Sequence, residues 1–152
     1  HPRAFSGSWE VEVMEVQEVV ELLGPKVKDV KTVGTKIFAT ADLAEFREVL
    51  KLLSEKGVRH VSDITGVDVG NSITVIYRFD CRPAFLNLKV LLPKDNPRIR
   101  TITDLFPGAV LYERELMEML GAKVEEHPDP RRLFLPDDWP EGVHPLRKEA
   151  KP

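Results

Sequence analysis

Two successive alternating stretches constrain the fold of this protein more than any other feature. Ile73, Val75, Tyr77 and Phe79 alternate with Thr74, Ile76, Arg78 and Asp80. After Cys81-Arg82-Pro83 the pattern resumes, with Leu86, Leu88, Val90 and Leu92 alternating with Phe85, Asn87, Lys89 and Leu91. A period of two sends successive side chains to opposite faces of a strand. Both faces of each stretch are partly apolar, which predicts central strands covered on both sides and paired antiparallel through the Cys81–Pro83 connection. A lone hairpin is marginal in water, so other elements must complete and cover the sheet.

Val58 to Val69 predicts a further strand, turning at Gly70-Asn71. Val27 to Ala39 predicts two short strands around Gly34. Between them lies the clearest helix, opened by Thr40-Ala41-Asp42, with Asp42 as cap and Glu45 three residues later as in a capping box. Its apolar stripe is Leu43, Phe46, Val49, Leu50 and Leu53, and Gly57 stops it. Val16, Val19, Val20 and Leu23 predict a short amphipathic core helix ended by Gly24-Pro25, after an alternating Trp9, Val11 and Val13. Pro93 to Pro97 reads as a loop, and Thr103 to Phe106 as a helical turn closed by Pro107-Gly108. A last helix, Leu111 to Leu120, has Leu116, Met119 and Leu120 as its core stripe and Gly121 as its end. The fold class expected is α+β: a mixed, largely antiparallel sheet packed with helices. Residues 1–121 form the core domain.

Residues 122–152 differ in texture. Pro128, Pro130, Pro136, Pro140, Pro145 and Pro152 are six of the 12 prolines, leaving no room for a useful helix. Leu133, Phe134, Leu135, Trp139 and Leu146 remain apolar, so an extended tail must lay them on a surface, its own domain's or a neighbour's.

Composition narrows the function. The 152 residues, 42% apolar and 31% charged, suit one folded domain, and no apolar run approaches the roughly 18 residues of a membrane helix. The sequence shows no signal-peptide pattern and starts at His1, as a processed or tag-derived terminus would. A net charge of −3 argues against a general nucleic-acid binder. Cys81 is the single cysteine, which excludes an intrachain disulfide, suits a reducing cytoplasm, and falls short of the four needed for an iron–sulfur cluster. Scarce Asn and Gln beside abundant Lys, Arg and Glu lean towards a thermophile.

A search for chemistry returns little. No phosphate loop, nucleophile elbow or HExxH helix occurs. Cys81 reads as a buried strand-end residue rather than a nucleophile. Glu115 and Glu118 share a helix face and could pair as catalytic carboxylates, but Arg114 and Glu118 fit a plain surface ion pair equally well. His127 and His144, with Glu126 or Asp129, match no compact metal site, and loop-corner hydrogen bonding explains them better. Asp63, Asp68 and Asn71 lack calcium-loop spacing, and His60, Ser62 and Asp63 lie too close together for a triad.

"FPGAVLYEREL", Gly121, "HPDPRRLFLPDDW" and "HPLRKE" together carry a resemblance, supported by "SDITGVD". They resemble the signature of the 30 kDa subunit family of respiratory complex I, the NADH–quinone oxidoreductase, with relatives in membrane-bound [NiFe] hydrogenases. The match is specific from about 104 to 149 and collinear but diffuse from about 37 to 92. Glu118, Met119 and Leu120 stand where the family usually has an aspartate and an aromatic, Ala122 replaces a branched aliphatic, and Lys148-Glu149-Ala150 replaces Lys-Asp-Tyr. These departures fit a divergent, hydrogenase-like relative. The resemblance implies a non-catalytic subunit of the hydrophilic arm of an ion-translocating complex, peripheral on the cytoplasmic side of the membrane. It would pack against the large hydrogenase-like, 49 kDa-type subunit and near the small iron–sulfur subunit. The protein itself would hold no cofactor; iron–sulfur clusters, and Ni-Fe or quinone sites, would lie in its partners.

The motif residues are thus candidate partner contacts: Glu113, Arg114, Glu115, His127, Pro128, Arg131, Arg132, Phe134, Leu135, Trp139, His144, Pro145, Leu146 and Arg147. Proline stiffness lowers the entropy lost on docking, the arginines suit partner carboxylates, and the aromatics suit pockets. Glu113, Arg114 and Glu115 are expected in buried or half-buried ion pairs joining the helix to the tail or a partner. Two other readings stay open: a stand-alone ligand-binding or enzymatic domain with the tail as lid, and an RNA-binding sheet using Tyr77, Phe79 and Phe85 with Arg78 and Arg82.

Overall fold

The structure, a computed structural model, describes residues 14–129, 140 and 142–148. Its element order is α1 (Val16–Leu23), β1 (Lys28–Val33), β2 (Lys36–Thr40), α2 (Phe46–Glu55), β3 (His60–Asp68), β4 (Ser72–Cys81), β5 (Ala84–Pro93), β6 (Arg98–Arg100), α3 (Val110–Leu120) and β7 (Lys123–Glu125). The fold is α+β, with a five-stranded sheet ordered β1-β2-β5-β4-β3. Only β2 and β5 pair in parallel within it; the other three pairings are antiparallel.

The two alternating stretches form the centre, paired from Ser72↔Pro93 to Cys81↔Ala84. Ile73, Val75, Tyr77, Phe79, Leu86, Leu88, Val90 and Leu92 fill the core. Phe46 of α2 packs on Tyr77 at 4.8 Å between ring centroids, and Phe106 packs on Phe79 at 4.9 Å. All three helices lie on this one face. The expectation of cover on both sides is therefore corrected: Phe38, Phe85 and Leu91 on the opposite face are 40%, 39% and 48% exposed. Apolar residues on both faces of a strand do not require two covers, because much of any protein's surface is apolar.

Other departures have local causes. Helix α2 starts at Phe46, because Asp42 and Leu43 carbonyls accept from Glu45 and Phe46 in a preceding turn. The predicted capping carboxylates are taken by lysines instead, Asp42 by Lys28 at 2.8 Å and Glu45 by Lys26 at 3.7 Å. Leu43 consequently leaves the core stripe and is 43% exposed. The three-residue strands β6 and β7, paired in parallel, are too short to show a period in the sequence.

Helix α3 packs over β3 at Gly66, where a methyl group would overlap the side chains of Leu116 and Leu120. Leu116 and Leu120 are buried as expected, whereas Met119 is only half-buried. The rest of the buried face is charged: Glu113, Arg114 and Glu118 are 0%, 9% and 7% exposed. An Arg114–Glu118 surface pair is therefore corrected to two buried groups. Cys81 is buried at its strand end, and burial beside Asp80 pushes its thiol up to about 12, which leaves no thiolate for nucleophilic work. Tyr77 and Phe79 face the core, so two of the three rings proposed for RNA stacking are inaccessible.

Candidate docking surface

The described signature residues converge on α3, with contacts at both of its ends. At the amino end, Glu113 accepts from Thr101 Oγ1 at 2.5 Å and from the Ile102 N–H at 2.8 Å. Burial pushes its carboxyl above the ordinary value, against those two donors and His127, which favour the charged form. His127 Nδ1 accepts from the Asp129 N–H at 3.0 Å, so Nε2 bears the proton and donates to the Val110 carbonyl, also at 3.0 Å. Glu113 Oε1 lies 3.7 Å from that nitrogen. Arg114 Nη1 reaches Asp129 Oδ2 at 3.5 Å. Glu113 and Arg114 thus tie the helix to the segment that follows β7, while Glu115 is half-buried.

The carboxyl end of α3 is closed by the final motif. Gly121 takes the left-handed conformation at φ 74°, and its N–H donates to Met117. The last carbonyls of a helix have no intrahelical partner. Here His144 Nδ1 meets the Glu118 carbonyl at 2.9 Å, the Leu146 N–H donates to Met119 at 2.8 Å, and Arg147 Nη1 donates to Leu120 at 2.8 Å. The His144 ring lies against Gly121, in space a Cβ there would occupy. Arg147 Nη2 also donates to the Lys94 carbonyl at 3.3 Å.

Asp68, the last residue of "SDITGVD", is the second anchor of this motif. Its carboxylate accepts from the Lys148 N–H at 2.8 Å and the Gly70 N–H at 2.9 Å, and pairs with Lys94 at 2.9 Å and Arg147 Nε at 3.6 Å. The Lys148 amide first, then Lys94 and Gly70, hold it well below the ordinary carboxylate range. The sequence signal for Asp68 is its place in "SDITGVD"; nothing local pairs it with residues about 80 positions on.

Pro128 and Leu146 are exposed and Pro145 half-buried. Arg131, Arg132, Phe134, Leu135 and Trp139 lie outside the described residues, as do Trp9, Val11 and Val13. Among the described residues no group of three or more His, Cys, Asp or Glu is placed to hold a metal ion, and no helix is long and apolar enough to cross a membrane.

Comparison with known proteins agrees with the motif reading. The profile of the family described as "Respiratory-chain NADH dehydrogenase, 30 Kd subunit" matches residues 39–152. Membrane-bound hydrogenase subunit beta of Pyrococcus furiosus is 37% identical over 131 residues, covering 82% of this chain and 76% of that protein. The NADH-quinone oxidoreductase C/D subunit of Nitrosospira multiformis is 38% identical over 118 residues, which are 69% of this chain and 19% of that one. A chain in the solved structure of the membrane-bound sulfane sulfur reductase, an archaeal respiratory membrane complex, shares the fold with a TM-score of 0.78 at 22% identity, covering 90% of this chain and 83% of that one. With its described signature residues gathered at one helix and the family profile spanning three-quarters of its length, the chain belongs to the complex I 30 kDa subunit family, which includes the beta-subunit homologues of membrane-bound hydrogenases.

Proposed function

We propose that this protein is a non-catalytic assembly subunit of the hydrophilic arm, docking onto the large hydrogenase-like subunit through the segment between its two anchored histidines. Family membership makes it a subunit of a complex I-like or membrane-bound hydrogenase-type respiratory complex. The finer reading adds position and role. The protein sits at the cytoplasmic side of the membrane, beside the large subunit and near the small iron–sulfur subunit, and electrons pass through cofactors in those partners.

The observation that carries it is the pair of anchors on α3. His127 is held at Val110 and His144 at Glu118. Eight helical steps separate those carbonyl-bearing residues, about 12 Å. The stretch from His127 to His144 could extend over about 56 Å. The chain between the anchors is thus several times longer than their separation, long enough for Arg131, Arg132 and Trp139, residue types that dominate interface energies, to reach a neighbour. The C/D relative supports the choice of partner, since its single polypeptide joins a C-type segment to a D-type one.

The test is co-purification from cells carrying the whole complex. Truncation after Gly121 would also strip the caps from α3, so Arg131→Ala, Arg132→Ala and Trp139→Ala are the cleaner variants. The expected result is an unchanged melting temperature of the protein with loss of the large subunit. Retention of the large subunit at wild-type stoichiometry overturns the reading.

A further inference from the structure

We infer that the face of the five-stranded sheet that no described element covers is a second docking surface, fitted to an apolar, carboxylate-bearing face of a different subunit from the one the tail engages. The inference rests on the protein being a subunit of a complex. The strand register sets out the face in rows. Val33, Lys36, Phe85 and Asp80 form one row, and Lys31, Phe38, Asn87, Arg78 and Asp63 the next. Thr40, Lys89, Ile76 and Thr65 follow, then Leu91, Thr74 and Val67. Val33, Val67, Leu91, Phe38 and Phe85 are 60%, 49%, 48%, 40% and 39% exposed. Singly such side chains are ordinary surface, but five large ones on one sheet face, interleaved with lysines, have the make-up of an interaction surface.

Charge identifies the occupant. Arg78 is held by Asp63 at 2.8 Å and by Asn87 at 3.0 Å, and Asp80 is taken by Arg82 at 2.8 Å. Lys31, Lys36 and Lys89 have no carboxylate within ion-pair distance among the described residues; of the two acidic groups at the rim beside Lys89, Asp42 is taken by Lys28 and Asp29 remains. The face is thus apolar with a positive surplus, although the net charge of the whole sequence is −3. A second copy would bring the same lysines into opposition, which disfavours self-association. Nucleic acid would want several rings for stacking, and among the described residues this face offers Phe38 and Phe85. A protein surface of apolar side chains and carboxylates satisfies both features.

The geometry separates this surface from the anchors of the tail. Asp68 pairs with Ile73 in the register and so lies on the helix-covered face with the motif it anchors. The sheet itself stands between this face and the described anchors of the tail, so a neighbour seated at those anchors leaves this face open. Five strands at about 4.8 Å spacing and some seven residues at about 3.3 Å give roughly 500 Å², below the ~800 Å² per partner of a stable stand-alone interface. The contact is therefore one that forms within an assembled complex.

The test places the photocrosslinker p-benzoylphenylalanine at Phe38, and separately at Trp139, in the protein within the intact complex. The Phe38 probe is expected to capture a subunit other than the one captured from Trp139, at a segment containing Asp or Glu. Lys31→Glu, Lys36→Glu and Lys89→Glu together should cut that crosslink at least about tenfold while the Trp139 crosslink persists. A Phe38 crosslink to a second copy, to RNA or to the same subunit as Trp139, an unaltered yield in the lysine variant, or no crosslink at all overturns the inference. If Trp139 captures nothing while Phe38 behaves as expected, the tail reading fails and this one stands.

Discussion

Arg147 donates from Nη1 to the Leu120 carbonyl at 2.8 Å, placing a guanidinium at the carboxyl end of a helix whose own last turn has no basic residue. A cation there complements the helix dipole. With His144 and the Leu146 N–H on the two preceding carbonyls, the His-Pro-Leu-Arg-Lys motif caps α3 from 27 residues away. His144 and Arg147 thus work inside the domain, and any partner meets them as part of a preformed surface.

Asp68→Asn should loosen that cap in a pH-dependent way. The wild-type carboxylate is held below its ordinary value of 3.8 by the Lys148 amide, Lys94 and the Gly70 amide. A lowered folded value means its contribution is complete above 3.8 and is lost as pH falls through the lowered value. The melting temperature of Asp68→Asn should therefore fall below wild type near neutral pH, and the gap should close towards about pH 2. Thermal melts across that range check it; a gap of constant size would show that the charge contributes nothing.

Gly121→Ala should lower stability by about 1–2 kcal/mol from the left-handed backbone alone. Its methyl would also meet the His144 ring, so the motif should detach from α3 as well. Faster amide exchange at Leu146 and Arg147 than in wild type, measured by NMR, distinguishes detachment from simple backbone strain.

Much of the fold is legible in the sequence because it rests on local periodicity. The β4–β5 pair, the stripe of α2 from Phe46 to Leu53 and the Gly121 stop all follow from neighbours within one element. The start of α2 is not legible, because Lys28, many residues away, takes the Asp42 carboxylate. Nor is the sheet face that no described element covers, because alternation says which residues share a face, not whether anything covers it. The site is legible only as a motif. Its physical content is nonlocal: Asp68 to Lys148, Glu118 to His144 and Thr101 to Glu113 join segments that no spacing rule connects.

Gly66→Ala should cost about 1–3 kcal/mol, because the added methyl must displace Leu116 and Leu120 where α3 sits on β3. Chemical denaturation measures it. Equal stability of the variant and wild type would mean that α3 can shift without loss, and that its seat on β3 does not depend on the missing side chain.

Glu113 makes the opposite pH prediction from Asp68. Burial raises its folded value above 4.5, opposed by Thr101, Ile102 and His127. The fold therefore favours the protonated form, and the wild type loses stability as pH rises from 4.5 through the raised value, then levels off. Glu113→Gln keeps a neutral acceptor and removes that dependence, so its deficit relative to wild type should be larger near pH 4.5 than near neutral pH. Glu113→Ala leaves the Thr101 hydroxyl and the Ile102 N–H without their acceptor, and should cost about 1–3 kcal/mol at every pH. Melts of both variants across the acid range separate the charge from the hydrogen bonds. If the glutamine deficit instead grows towards neutral pH, the ionised carboxylate is the form this site was built to hold.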